Sequence, residues 1–165
     1  MPGKVPEDAE AQVHAALGRT LWELQAFEET LARLISIVFK IPAFASITEA
    51  RVILESARSA PLGRLIVETK KLVPMDAGFE LFLSRFLEQR NWLVHRSRRT
   101  HGNFGASEQD FIDLTYRIQR LSMDALEFNE FFSKLVLDWA HEKGISAAEI
   151  DQMAQEVQDA FESET

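Results

Sequence analysis

The chain has 165 residues, a formal net charge of −8, and 46% hydrophobic residues, among them 12 Phe. This length and composition suffice to bury a core as one domain, which we assign to residues 1–165. The acidic balance argues against general binding to duplex nucleic acid, and the lack of Cys excludes disulfide and thiolate chemistry.

The N-terminal residues contain no apolar signal segment, and we expect residues 1–8 to be disordered. The most apolar run, Leu31 to Ile41, contains Arg33 and Lys40 and is shorter than the roughly 20 residues that a membrane span needs. It therefore predicts a buried helix. We expect a cytoplasmic protein that does not associate with membranes.

The first helix is predicted to run to about Lys40, because apolar positions recur at spacings of three and four residues. These positions are Val13, Leu17, Thr20, Leu24, Phe27, Leu31, Leu34 and Val38. Pro42 breaks the pattern, and Ser46 or Thr48 is predicted to cap a short second helix. Pro61 suits the first turn of a third helix.

Pro74 ends the third helix, and Asp76 is predicted to cap a fourth that ends near Arg99. The longest helix is predicted to begin at Ser107 and to end at Gly144, a span of roughly 50 Å. Its apolar positions repeat at spacings of three and four: Phe111, Leu114, Ile118, Leu121, Ala125, Phe128, Phe132, Leu135 and Trp139.

The C-terminal residues 145–165 are acidic and are predicted to form a peripheral helix, with a capping box from Ser146 to Glu149. No segment alternates in the manner of a strand. The fold predicted is therefore an all-α, up-and-down bundle of about five to six helices, two of them long. Because a 50 Å helix is longer than such a domain needs, we expect its far end to pack against a second copy in a homodimer.

Arginine and histidine are concentrated in the stretch "RNWLVHRSRRTH", residues 90–101. On a helical wheel Arg90 lies within the apolar stripe, whereas Asn91 and His95 share the other side. A buried arginine requires a partner, since a lone buried charge costs several kcal/mol. The partner can be a carboxylate of another helix, carbonyls at a helix end or a bound anion, and the candidate carboxylates on the first helix are Glu23, Glu28 and Glu29. In a purely structural interpretation Arg90 ties the first helix to the fourth, Asn91 bonds a neighbouring loop, and His95 lies half-buried against a carbonyl.

The segment "RNWLVH" resembles the R-x4-6-H motif of the HEPN superfamily, in which a polar residue often follows the arginine. The helical context of the motif and the upstream "APLGRLIVETKKLV" are similar to those of uncharacterised bacterial HEPN-like proteins. The resemblance implies homodimers whose motifs face each other across an interface. It also implies a metal-independent endoribonuclease of the kind found among toxins and defence effectors, with Arg90 and His95 catalytic and Asn91 orienting them.

Further residues beside the motif allow two interpretations each. Arg96, Arg98, Arg99 and His101 can bind flanking phosphates or can form a solvated helix end. Trp92 and Phe104 can stack on bases, but core or interface packing is favoured. The scattered histidines predict no metal site, and no cofactor motif is present.

A different class of function also fits the sequence. The chain can be a non-catalytic interaction or regulatory module, in which Arg90 and His95 are structural. In that case its partner is another protein, such as the antitoxin of a toxin–antitoxin pair or a regulatory protein, rather than RNA.

Overall fold

The chain folds into α-helices that begin and end close to the predicted positions. The computed structural model describes residues 7–42, 45–100, 107–146, 148, 149 and 152, and within them it contains six α-helices and no strand. The helices are α1 (Ala9–Arg33), α2 (Ile47–Arg58), α3 (Leu62–Leu72), α4 (Ala77–His95), α5 (Ser97–Thr100) and α6 (Glu108–Glu142). The predicted all-α bundle with two long helices is confirmed. Among these residues no helix is both long enough and apolar enough to cross a membrane.

Capping side chains fix the starts of three helices. Ser46, Asp76 and Ser107 each accept a hydrogen bond from the backbone N–H three residues on, at 3.2, 2.9 and 3.0 Å. The ambiguity at the start of α2 is thereby resolved in favour of Ser46. Pro61 is the N-cap of α3, with an extended ψ of 146°, and does not lie in its first turn as predicted. Beyond α6, Gly144 adopts a φ of 72°, which favours glycine and ends the helix as expected.

The two long helices lie side by side and run in the same direction. The hydroxyl of Thr20 donates to the carbonyl of Ile118 at 3.2 Å, and that of Thr30 to the side-chain carbonyl of Asn129 at 2.5 Å. The later residue of α1 thus contacts the later residue of α6, so the two helices are parallel. The α4 helix runs antiparallel to α6, because its N-terminal Phe79 packs on the aromatic residues near position 131 and its C-terminal Trp92 lies at Arg117.

An aromatic cluster forms the centre of the core, where α1, α4 and α6 meet. Phe128 on α6 lies 5.6 Å from Phe27 of α1, 5.1 Å from Phe86 of α4 and 4.7 Å from Phe82, measured between ring centroids. These separations are typical of favourable ring pairs. Phe27, Phe86 and Phe128 are each at most 1% exposed. The cluster fixes α4 against both long helices and so positions the end of α4.

The predicted apolar seam of α6 is correct over its first 22 residues, and near its end Leu135 still packs against the core while the fully buried positions shift. Leu135 and Trp139 are only partly buried, and Val136 and Ala140 occupy the core after Phe132. An ideal α-helix has 3.6 residues per turn, so a strict 3.5-residue repeat drifts around it by about 20° per heptad. Over three heptads this drift turns the predicted positions partly away from the core, so the residue after each of them, Val136 or Ala140, is buried instead.

The last turns of the first helix differ from the prediction in their geometry. Residues Leu34–Lys40 continue α1 as a π-helix, and the N–H of Ile41 donates to the carbonyl of Ser36 at 2.8 Å. This five-residue hydrogen bond is the π-helical pattern. Ser36 is buried, and its hydroxyl lacks a hydrogen-bond partner among the described residues. The helix ends at Lys40, before Pro42, as predicted.

Candidate functional site

The motif residues lie in the last two turns of α4, where the helix leaves the core. The N–H of Arg96 donates to the carbonyl of Trp92 at 2.8 Å, and Arg96 itself has a non-helical φ of −129° that ends α4. The four-residue helix α5 follows directly. The sequence predicted one helix through to about Arg99. This prediction was wrong, because the helix breaks at Arg96.

Arg90 is half-buried and faces α1. Its Nη2 donates to Glu28 Oε1 at 3.1 Å, with 22% of the Arg90 side chain and 32% of the Glu28 side chain exposed. Arg90 lies on the buried side as predicted, and of the kinds of partner that the sequence left open the structure has an α1 carboxylate, that of Glu28. Arg90 Nη1 also donates to Asn91 Oδ1 at 3.3 Å. Among the residues that the structure describes, Asn91 thus contacts the guanidinium and makes no hydrogen bond to a neighbouring loop.

His95 lies apart from this pair. Its side chain is exposed and makes no hydrogen bond or ion pair with any residue that the structure describes. Five positions correspond to a rotation of about 140° around the helix, so Arg90 and His95 project to different sides of α4. The structure joins Arg90 to Asn91 and does not bring His95 to this pair. The half-buried histidine of the structural interpretation is not found.

The predicted phosphate-binding arginines lie immediately after His95. Arg96, Arg98 and Arg99 are exposed, and Ser97 donates to the carbonyl of Leu93 at 2.5 Å, which fixes the turn between α4 and α5. Arg98 and Arg99 form no ion pair within the described part of the chain. This end of the bundle therefore presents unneutralised positive charge beside His95. His101 and Phe104 lie outside the described residues.

Trp92 belongs to the core, and the alternative of base stacking by its ring is wrong. It is 7% exposed, and the guanidinium carbon of Arg117 lies 3.4 Å from the centre of its ring. Such a stacked guanidinium is attracted by the electron density of the indole. Arg117 Nε also donates to Gln89 Oε1 at 2.7 Å. Burial lowers the pKa of Arg117 from its ordinary value.

Sequence reasoning missed Arg117, which brings one more positive charge from α6 to the motif end of α4. A signal for it was present: Arg117 directly precedes the buried Ile118 and so lies at the edge of the apolar seam. An arginine at such an edge can lay its aliphatic stem along the core and carry its charge outward.

The described residues contain no group of three or more His, Asp and Glu side chains that could hold a metal ion. Two grooves, with volumes of about 530 and 250 Å³, both border α2 and are not lined by the motif residues.

The arrangement at the end of α4 therefore combines an accessible imidazole, exposed arginines and a half-buried guanidinium held by two side chains. Comparison of the chain with models of known protein families, with curated proteins and with solved structures found no match.

Proposed function

We propose that this chain is a HEPN-like protein that acts as a homodimer, binds RNA at the end of α4 and cleaves it without a metal ion. The observation that carries the proposal is the accessible His95 next to Arg98 and Arg99, which are exposed and form no ion pair with the residues that the structure describes. These cations are concentrated in a chain whose formal net charge is −8. A local basic surface of this kind attracts a polyanion although the whole molecule is acidic.

The reaction would use the ribose 2′-OH as the nucleophile. The 2′-oxygen attacks the adjacent phosphorus, the bond from phosphorus to the 5′-oxygen breaks, and a 2′,3′-cyclic phosphate and a 5′-hydroxyl result. One proton leaves the 2′-OH and one arrives on the 5′-oxygen. Imidazole can accept or donate a proton at neutral pH, so His95 is assigned one of these transfers.

Arg90 projects to a different side of α4 from His95, so within one subunit the two side chains would bind different phosphates of the RNA. Its guanidinium has five N–H donors, of which the bonds to Glu28 and Asn91 use two. The remaining donors can bind the oxygens of a phosphate next to the one that reacts at His95. Arg98 and Arg99 would hold flanking phosphates.

The ion pair between Arg90 and Glu28 favours a second candidate function, a non-catalytic interaction module. The guanidinium is held by an α1 carboxylate at 3.1 Å and needs no ligand as its partner. In this case the exposed arginines would dock an acidic protein partner, such as an antitoxin or a regulatory protein.

A cleavage assay in EDTA distinguishes the two candidates. Purified wild type, His95→Ala and His141→Ala are incubated with single-stranded and structured RNA. His141 is a matched control, because it is also an exposed histidine near a helix end. It lies in the last turn of α6, whereas the motif packs near the start of α6. The ribonuclease proposal predicts cleavage by wild type and His141→Ala, and a loss of about 100-fold or more in His95→Ala. Equal inactivity of all three proteins would favour the interaction module.

A further inference from the structure

The α6 helix carries a second seam on the face opposite the core. This outer seam follows the spacings of four and three that pack helices together, and it consists of Ile112, Tyr116, Gln119, Met123, Leu126, Glu130, Ser133 and Leu137. Its five large apolar side chains are between 41% and 68% exposed. The solvent face of an ordinary amphipathic helix is polar, so a long apolar seam in this position indicates a binding surface.

We propose that the outer seam packs against the outer seam of a second copy of this chain, with the two α6 helices antiparallel. A two-fold axis between residues 124 and 125 brings together positions that are equally distant from it. The layers are then Ile112 with the partner's Leu137, Tyr116 with the partner's Ser133, Gln119 with the partner's Glu130, and Met123 with the partner's Leu126. Apolar residues meet apolar residues, and the Gln119 amide can donate to a carboxylate.

The charges beside the seam favour the same orientation. Along one edge the charged residues recur every seven positions with alternating sign: Asp113, Arg120, Glu127 and Lys134. In the antiparallel pair each of these residues lies opposite an opposite charge, Asp113 beside the partner's Lys134 and Arg120 beside the partner's Glu127. In a parallel, in-register pair this edge would instead lie opposite the partner's other edge, where Thr115, Ser122 and Asn129 carry no charge. The pattern therefore selects a second, antiparallel copy over a parallel one.

The basic residues of this edge remain accessible for contacts between subunits. Within α6, Arg120 Nε lies 3.0 Å from Asp124 Oδ1, and Lys134 Nζ lies 2.6 Å from Asp138 Oδ2. Their side chains are nevertheless 51% and 71% exposed. Each can therefore reach a carboxylate of the partner subunit.

The size of the surface sets the expected strength of the dimer. From Ile112 to Leu137 the seam extends over roughly 37 Å at 1.5 Å per residue. One pair of helices in contact over this length lies at the low end of specific interfaces, which bury about 800 Å² per partner. We therefore expect reversible association with a dissociation constant in the micromolar range.

The proposed dimer also determines where the two motifs lie. The contact between Trp92 and Arg117 places the motif beside the N-terminal third of α6. The axis lies more than seven residues further along, so the two motifs are separated by roughly 20 Å or more along α6. The two motifs then lie apart, whereas the HEPN resemblance implies motifs that face each other. This inference shares only the homodimer with the proposed function and requires no RNA.

Cysteine crosslinking tests the register directly, because the natural chain contains no Cys. In the proposed dimer Met123 lies about 5 Å from the partner's Met123 along the helix axis, whereas Ile112 lies about 37 Å from the partner's Ile112. Met123→Cys, Ile112→Cys and Leu137→Cys are prepared as full-length proteins, with circular dichroism to verify folding. Met123 and Ile112 are 52% and 48% exposed, so the two thiols are matched in accessibility.

Under mild oxidation Met123→Cys is expected to form disulfide-linked dimers, and Ile112→Cys alone is not. A mixture of Ile112→Cys with Leu137→Cys is expected to form mixed dimers. A monomer by sedimentation throughout the micromolar range, or equal crosslinking of Met123→Cys and Ile112→Cys, would overturn the proposal.

A charge exchange provides a second test. Arg120→Glu is expected to weaken dimerisation about tenfold, and the added Glu127→Arg substitution to restore it. Failure of this rescue would contradict the edge pairing. His95→Ala should dimerise like wild type, so that the dimer and the ribonuclease proposal succeed or fail separately.

Discussion

Replacing Phe128 by Ala removes the side chain at the centre of the aromatic cluster. The Phe128 ring is 1% exposed and lies within 5.6 Å of the rings of Phe27, Phe79, Phe82 and Phe86, measured between centroids. It thus joins α6 to both α1 and α4. If the inner seam of α6 holds the bundle together, this position should be among the most sensitive in the chain.

The expected cost follows from burial and ring contacts. Truncation of a buried Phe to Ala costs about 3–5 kcal/mol, and favourable ring pairs add to area burial by about 0.5–1.5 kcal/mol. With four ring partners we expect the upper end of that range, about 4–5 kcal/mol. A domain of this size is stabilised by about 5–15 kcal/mol in total. With a urea slope of about 2 kcal/mol per molar, the unfolding midpoint should fall by about 2 M.

Urea titration followed by circular dichroism measures this shift, and Leu126→Ala is the matched control. Leu126 lies two positions earlier on α6, in the outer seam, and is 41% exposed. At concentrations where the chain is monomeric, Leu126→Ala should cost less than about 1 kcal/mol. Similar costs for both substitutions, or a loss below about 2 kcal/mol for Phe128→Ala, would refute the assignment of inner and outer faces.

Three further substitutions test the electrostatics of the bundle by the same titration. Burial raises the pKa of Glu29, but hydrogen bonds from Arg58 and Arg33 outweigh it and lower the net pKa. Glu29 therefore contributes stability above its unfolded pKa of about 4.3, and this contribution is lost as the pH falls through the lower folded value. Glu29→Gln should have a lower free energy of unfolding than wild type at pH 7, and this difference should disappear in acid. A difference that does not change with pH would contradict the reasoning. Burial raises the pKa of Asp124, although Arg120 lowers it, so Asp124→Asn should be at least as stable as wild type at pH 7. Any gain in the stability of Asp124→Asn over wild type should vanish as the pH falls through the raised pKa of folded Asp124. A marked loss of stability at pH 7 would contradict the reasoning. Arg90→Ala should cost about 1–2 kcal/mol, because Glu28 is left half-buried without its partner; no loss would mean that the ion pair is not structural.

Much of the fold could be predicted because its determinants are local. The caps at Ser46, Asp76 and Ser107 and the terminator at Gly144 act within one helical turn, and the inner seam is a periodicity visible in the sequence. The π-helical residues Leu34–Lys40 could not be predicted, because their pattern fits an α-helix equally well. The shift of the buried face at Val136 depends on accumulated helical rotation, which a heptad count does not include.

The candidate site was predictable in composition but not in arrangement. The wheel placed Arg90 toward the core and His95 away from it, which the structure confirms. Three glutamates on α1 were equally suitable partners for Arg90, since the choice of Glu28 depends on how α1 and α4 cross. The stacking of Arg117 on Trp92 joins residues 25 positions apart and depends on the same tertiary geometry.

The most direct test of the central claim uses two oligonucleotides of identical sequence, one RNA and one with 2′-deoxyribose throughout. Both are incubated with wild type and with His95→Ala in EDTA, and the product ends are identified by mass spectrometry. The account predicts that wild type cleaves only the RNA and leaves a 2′,3′-cyclic phosphate and a 5′-hydroxyl, while His95→Ala leaves both intact. Intact RNA with wild type, equal cleavage of both oligonucleotides, or unchanged cleavage by His95→Ala would contradict it.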